Sequence, residues 1–246
     1  MASQHTILST KKLEPGIRNQ LEANGIHLVE QPFIDVQPIV NYSKYKEIWP
    51  VLNVKADQAI VFTSKHAVEA IGKHLSGGDA VYIPDNWEIF CLDGATKDKV
   101  TEVFSALHIV ATAPNATELA AKIIAYGDFK EVVFFCGNQR LDTVPDALKA
   151  GGIGVKEIVV YNTTDTPSPI ETNSFSAVLF FSPSGVKSFF SVNSLPPAAV
   201  CIAIGATTAG ILSNYITNRI IISAVATQLS MAESVTDYLQ QIDSYK

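Results

Sequence analysis

Short apolar runs recur along this chain, each followed by a small polar turn and then by apolar positions three and four apart. That order reads as buried strand, turn and amphipathic helix. The stretch Val178–Phe190 is the clearest case: an apolar run, then Ser182-Pro183-Ser184-Gly185, then an amphipathic start whose cap is Ser182 or Ser184. Upstream, Ile7–Thr10 is a strand and Glu14–Asn24 a helix, with Pro15 tolerated in its first turn and Gly25 as its stop. His27–Glu30 is a second strand. Pro32–Pro38 alternates between prolines and suits an exposed, linker-like strand. A new series opens with strand Ala59–Phe62, turn Thr63-Ser64, helix Lys65–His74 and a Ser76–Asp79 loop. Next come strand Glu88–Leu92, then Gly94-Ala95-Thr96 and a helix to about Ala106. Strand His108–Ala111 leads to helix Ala116–Tyr126, capped by Thr117 or Asn115. Strand Val132–Phe135, turn Cys136–Arg140, a helix ended by Gly151-Gly152, and strand Val155–Tyr161 complete the series. Asn162–Pro169 reads as a second linker. After the Val178 unit come strand Ala198–Ile204, Gly205-Ala206-Thr207-Thr208 and a helix, strand Arg219–Ile222, and a closing helix Leu229–Gln240.

Strands alternating with such helices imply βαβ units and parallel sheets, an α/β fold. The middle and C-terminal series repeat one another. Each holds a hydroxyl turn, then Gly-Ala-Thr, then Ala-Thr-Glu-Leu or Ala-Thr-Gln-Leu before a helix. The middle series continues with strand, helix and strand, whereas the C-terminal series stops. Its missing strand, helix and strand stand at the N-terminus, where Leu21 and Gly25 match Leu148 and Gly152. The expectation is two similar domains, one discontinuous (residues 1–36 plus 167–246) and one continuous (residues 37–166). The chain would cross between them near 32–40 and 158–168. Such crossings can act as a hinge, and a cleft between domains is a favoured ligand site.

Composition narrows the chemistry. With 47% hydrophobic and 17% charged residues the chain is globular. Its apolar runs are broken before a membrane span is reached, and no signal-peptide pattern opens it. The net charge of −6 and only three arginines argue against a nucleic-acid partner, but not against an anionic small molecule held by helix N-termini. Cys91, Cys136 and Cys201 read as reduced, packed thiols of a cytoplasmic protein; no basic neighbour marks any as a nucleophile. The histidines lack metal spacing, so no metal cofactor is expected.

Ligands of open parallel sheets sit beyond the carboxyl ends of the strands. The turns there carry Thr10, Lys11 and Lys12; Thr63, Ser64, Lys65 and His66; Thr96; Asn138 and Arg140; Ser182 and Ser184; and Thr207 and Thr208. No nucleophile elbow, phosphate loop or dinucleotide fingerprint occurs among them. A bulky polyanion held by amides and hydroxyls fits this set. Thr96 and Thr207 also read as helix caps. Arg140 opposes a helix dipole, which favours a ligand or a carboxylate partner beside it. Tyr161 is either a half-buried plug or a hydroxyl facing the cleft.

The chain resembles the uroporphyrinogen-III synthase family. The resemblance rests on Phe-Thr-Ser-x-x-Ala-Val-Glu-Ala at 62–70, Phe-x-Cys-Gly-Asn-x-Arg-x-x-x-x-Pro-x-Ala-Leu at 134–148, and Val-Tyr-x-Thr at 160–163. Phe-Phe-Ser-Pro-Ser-Gly at 180–185 and Ala-Ile-Gly-Ala-Thr-Thr-Ala at 203–209 extend it over nearly the whole chain. It implies two flavodoxin-like domains joined by a two-stranded ladder. The implied substrate is hydroxymethylbilane, a linear tetrapyrrole polycarboxylate, closed with inversion of its last ring and without any cofactor. The family's assisting tyrosine maps onto Tyr161, and its hydroxyl positions onto Ser64, Thr96, Ser182 and Thr207 or Thr208. Lys65-His66 stands where many members have Pro-Arg, and Thr10-Lys11-Lys12 where many have Thr-Arg-Pro. A cytoplasmic monomer is expected. The rival reading is a non-catalytic two-domain protein that binds or senses a small molecule.

Overall fold

The computed structural model of the 246-residue chain describes residues 5–54, 57–75, 85–105, 108–127, 129–170 and 174–244. The Ser76–Asp79 loop and the helix end at Ala106 lie outside these residues. In chain order the first elements are β1 (His5–Ser9), α1 (Pro15–Ala23), β2 (Ile26–Glu30), β3 (Ile34–Pro38) and α2 (Tyr42–Leu52). There follow β4 (Gln58–Phe62), α3 (Lys65–Leu75), β5 (Trp87–Leu92), α4 (Ala95–Phe104), β6 (Ile109–Ala113) and α5 (Ala116–Tyr126). Next are β7 (Glu131–Gly137), α6 (Thr143–Ala150), β8 (Gly154–Asp165), β9 (Ala177–Phe180) and α7 (Pro183–Phe190). The chain closes with β10 (Val200–Ala203), α8 (Ala206–Leu212), β11 (Ile220–Ile222) and α9 (Gln228–Ser244).

Two sheets form, ordered β11-β10-β9-β1-β2 and β3-β8-β7-β4-β5-β6. Strands β4 to β8 and the set β9, β10, β11, β1, β2 occupy equivalent places in the two orders. The same sheet is thus built twice, once continuously and once from both ends of the chain. The strands of the five-stranded sheet pair in parallel, as do β4 to β8 in the other. Contacts divide the chain into two compact units. One ends at Asp35 and resumes at Thr164; the other runs Val36–Thr163. Where the chain crosses, Ile39 N–H bonds the Val160 carbonyl (2.8 Å) and Thr166 N–H bonds that of Phe33 (2.9 Å). Rising numbers on one strand meet falling numbers on the other, so this ladder is antiparallel.

Each sheet is buried on both faces, which is why its strands read as continuous apolar runs rather than alternating ones. In β4, Ile60 and Phe62 enter one core and Ala59 and Val61 the other. In β9, Ala177 and Leu179 face α1 and α9, whereas Val178 and Phe180 face α7 and α8. The repeat extends to single backbone angles. Leu21 and Leu148 are fully buried, and Gly25 (φ +74°) and Gly152 (φ +80°) turn the chain out of α1 and α6 in the left-handed region that glycine enters without penalty.

The structure departs from the sequence reading at three places. Helix α2 was not foreseen: Asn41 caps it by accepting from Lys44 N–H, and Ile48, Val51 and Leu52 bury one stripe despite Pro50 near its end. Strand β8 runs on to Asp165, because the crossing ladder gives Asn162–Asp165 a partner. Of the two caps expected for α5, Asn115 is the one formed, accepting Glu118 N–H. Thr96 and Thr207 cap nothing: the N-cap positions of α4 and α8 belong to Gly94 and Gly205, and both threonines lie inside the first helical turn.

Candidate functional site

Tyr161 sits in mid-strand in β8, but its register places it level with Gly137, the last residue of β7. Pairing runs regularly through Phe135–Ile158 and Cys136–Val159, and then shifts so that Gly137 meets Tyr161. Such a bulge re-aims the side chain that follows it. Tyr161 therefore packs beside the core under α3 and α4 and reaches the start of α3. There its hydroxyl comes close enough to Ser64 for that side chain to act on its proton affinity. Ser64 Oγ accepts the His66 N–H (3.2 Å), closing the first turn of α3. The His66 ring lies 5.8 Å from that of Tyr161, with Nδ1 3.1 Å from Glu69 Oε2. Burial raises the Tyr161 pKa above its ordinary value, Ser64 partly offsets this, and nearby Cys136 adds to it. At neutral pH the group is a phenol able to donate a proton.

The other residues predicted for this unit are mostly engaged already. Asn138 exchanges two bonds with the Thr163 backbone, Nδ2 to the carbonyl (3.1 Å) and N–H to Oδ1 (2.7 Å). Arg140 is paired with Glu157 and Asp142. Its charge is thus satisfied by carboxylates of the chain itself, which answers the dipole mismatch read from the sequence. Lys65 opens α3 and pairs with no carboxylate among the described residues. Thr96 is buried in α4.

In the other unit the predicted residues gather at the carboxyl ends of β1, β9 and β10, three neighbouring strands. Ser182 caps α7 by accepting Gly185 N–H (3.0 Å), leaving Ser184 inside the helix. Thr10 is tied down: its N–H and hydroxyl both donate to the Leu179 carbonyl, at 3.1 and 2.8 Å. Lys11 Nζ stands 5.9 Å from the Phe181 ring centre. Thr207 is exposed and Thr208 buried.

Sequence reasoning missed the partners: Glu69, Glu157, Thr163 and Gly137. Gly137, Thr163 and Glu69 stood inside the family motifs, but the roles of Gly137 and Thr163 depend on strand register. The three cysteines are free and buried. Burial pushes Cys91 and Cys201 up to about 12 and Cys136 to about 11, so none is a ready nucleophile. Among the described residues no three His, Cys, Asp or Glu side chains converge as a metal site, and no helix is long and apolar enough to cross a membrane.

The fold and these turns define an α/β protein that presents hydroxyls, helix amides and a half-buried phenol at its strand ends. The family model for uroporphyrinogen-III synthase HemD matches residues 16–233, and the chain belongs to that family. No curated protein matches it by sequence. Among solved structures, a mutant uroporphyrinogen III synthase from the extremely thermophilic bacterium Thermus thermophilus shares the fold with a TM-score of 0.68 at 14% identity, over 96% of this chain and 99% of that one. The uroporphyrinogen-III synthetase of Helicobacter pylori gives 0.62 at 16% identity, over 95% and 99%. The chain is accordingly a cyclising lyase of tetrapyrrole biosynthesis, which closes hydroxymethylbilane to uroporphyrinogen III with loss of water and inversion of ring D.

Proposed function

We propose that Tyr161 is the proton donor of this reaction and that the hydroxyl-rich turns of both units bind the substrate carboxylates. Protonation by the phenol lets the substrate hydroxyl leave as water, giving an azafulvene cation. The substituted carbon of ring D attacks that cation to form a spiro intermediate, which fragments and recloses with the ring inverted. Left alone, hydroxymethylbilane closes without inversion. The protein's main contribution is therefore orientation and exclusion of water.

The observation that carries this reading is the Tyr161 phenol, half-buried at the start of α3 beside Ser64 and the His66 ring. A phenol there can give up a proton while the free amides of the helix turn hold an anion beside it. Lys65 and the first turns of α3 and α7, with Lys11, Thr207 and Thr208, hold the carboxylates. Thr10, Thr96, Asn138 and Arg140 support those turns and reach substrate through them. In this reading the enzyme is a cytoplasmic monomer whose two flavodoxin-like domains are joined by a two-stranded linker.

Tyr161→Phe tests it. The phenyl ring keeps the packing, so the fold survives while turnover to the type III isomer falls about tenfold or more. Wild-type rates of type III formation would remove Tyr161 from the mechanism.

A further inference from the structure

Gly137 pairs level with Tyr161, and its contact with that side chain is very close. A methyl group built on Gly137 would stand 2.8 Å from Tyr161 Oη and closer still to the ring carbons Cε2 and Cζ. Carbon atoms in ordinary contact are about 3.5–4 Å apart. The ring therefore occupies the space that any side chain at 137 would take. The backbone explains how it comes to be there. Phe135 and Ile158 enter the core under α3 and α4, whereas Cys136 belongs to the core on the opposite face and Val159 packs against that core. Regular alternation would turn Val160 to the first face and Tyr161 to the second. The shift between Cys136 and Gly137 breaks the alternation, and both Val160 and Tyr161 join the first face. Without it the phenol would point away from Ser64 and His66.

We infer that Gly137 is a positioning residue for Tyr161: with the bulge beside it, its missing side chain is the seat that aims the phenol at Ser64. The inference rests on the reading of Tyr161 as proton donor. A methyl at 137 meets the far end of a side chain rather than backbone, so the chain absorbs it by swinging the ring. The shift needed is about 1 Å, enough to cost a positioned catalytic group roughly 10- to 100-fold in rate.

The test compares wild type, Gly137→Ala, Tyr161→Phe and the double variant for kcat, KM and melting temperature, with hydroxymethylbilane as substrate. Gly137→Ala should lower kcat roughly 10- to 100-fold and move KM by less than about threefold. In the Tyr161→Phe background, which keeps the ring but not the hydroxyl, the same change should lower kcat by less than about twofold, because no proton donor remains to misplace. The melting temperature should fall equally in both backgrounds, since the ring is struck in both. Equal kcat losses in the two backgrounds, or none in Gly137→Ala, overturn the inference while leaving a slow Tyr161→Phe enzyme to support the tyrosine. A wild-type rate in Tyr161→Phe overturns both. Should Gly137→Ala fail to fold, Gly137→Ala with Tyr161→Ala decides: recovery of the fold assigns the clash to the ring, and no recovery overturns the assignment.

Discussion

Asn138→Ala separates a structural from a binding role at the most engaged of the predicted site residues. The amide holds Thr163, two residues beyond Tyr161, through a 3.1 Å and a 2.7 Å hydrogen bond. Asn138's own N–H bonds the Tyr161 carbonyl (3.2 Å) and survives the change. The Thr163 carbonyl also survives it, since Gln139 Nε2 donates to the same oxygen at 3.1 Å. The Thr163 N–H does not, and it belongs to a residue only 6% exposed. Stranding one buried donor costs about 1–3 kcal/mol. We expect a loss of about 2 kcal/mol, or a melting temperature lower by roughly 7 °C for a unit of this size. Both tryptophans, Trp49 and Trp87, fall in the Val36–Thr163 unit, so tryptophan fluorescence in a urea titration reports that unit alone. The midpoint should fall with an unchanged slope. Turnover should fall as well, because the strand carrying Tyr161 has lost an anchor. An unchanged midpoint with a severalfold rise in KM would refute the clamp and place the amide on the substrate.

Three further substitutions probe other levels of the structure. Ser182→Ala removes the α7 cap, which should cost about 1 kcal/mol of stability and raise KM more than it lowers kcat; a change confined to kcat would contradict a binding role. Gly152→Ala places a methyl where no atom lies within 4 Å, at φ +80°. Equilibrium unfolding should then show the conformational cost alone, about 1 kcal/mol, and no loss would mean that the left-handed turn is unnecessary. Cys201 is held protonated by burial, with its pKa raised from 9.0 to about 12. A raised pKa supports the fold fully below pH 9, and that support drains as the pH climbs through about 12, on the order of 1 kcal/mol for each pH unit above 9. Alkaline unfolding followed by circular dichroism should be shallower in Cys201→Ala, and identical slopes would contradict the assignment.

Much of the fold was legible because its signals are local. A buried parallel strand is a short apolar run, and a hydroxyl or Gly-Ala-Thr turn marks where it ends, so the doubled series and its permutation could be read in order. Gly25 and Gly152 carried the match to the chain ends because a left-handed helix stop demands glycine wherever it falls. Helix α2 was missed since its exposed face carries Tyr42 and Trp49 and its end carries Pro50, residues that mimic a loop. Its Asn41 cap and the Ile48, Val51, Leu52 spacing were the available signal. The site was legible only as a set of hydroxyls and cations. Which of them were already spoken for depends on pairing between distant strands: Arg140 meets Glu157, and Asn138 meets Thr163, across the β7–β8 ladder. The bulge that aims Tyr161 is likewise a property of register, which no single strand encodes.

Isomer analysis is the most direct test of the account. The purified chain is incubated with freshly made hydroxymethylbilane, the products are oxidised, and the type I and type III porphyrins are separated and counted. The account predicts that type III dominates with the wild-type chain and gives way to type I as Tyr161→Phe slows the enzyme below spontaneous closure. Type I alone from the wild-type protein would contradict it.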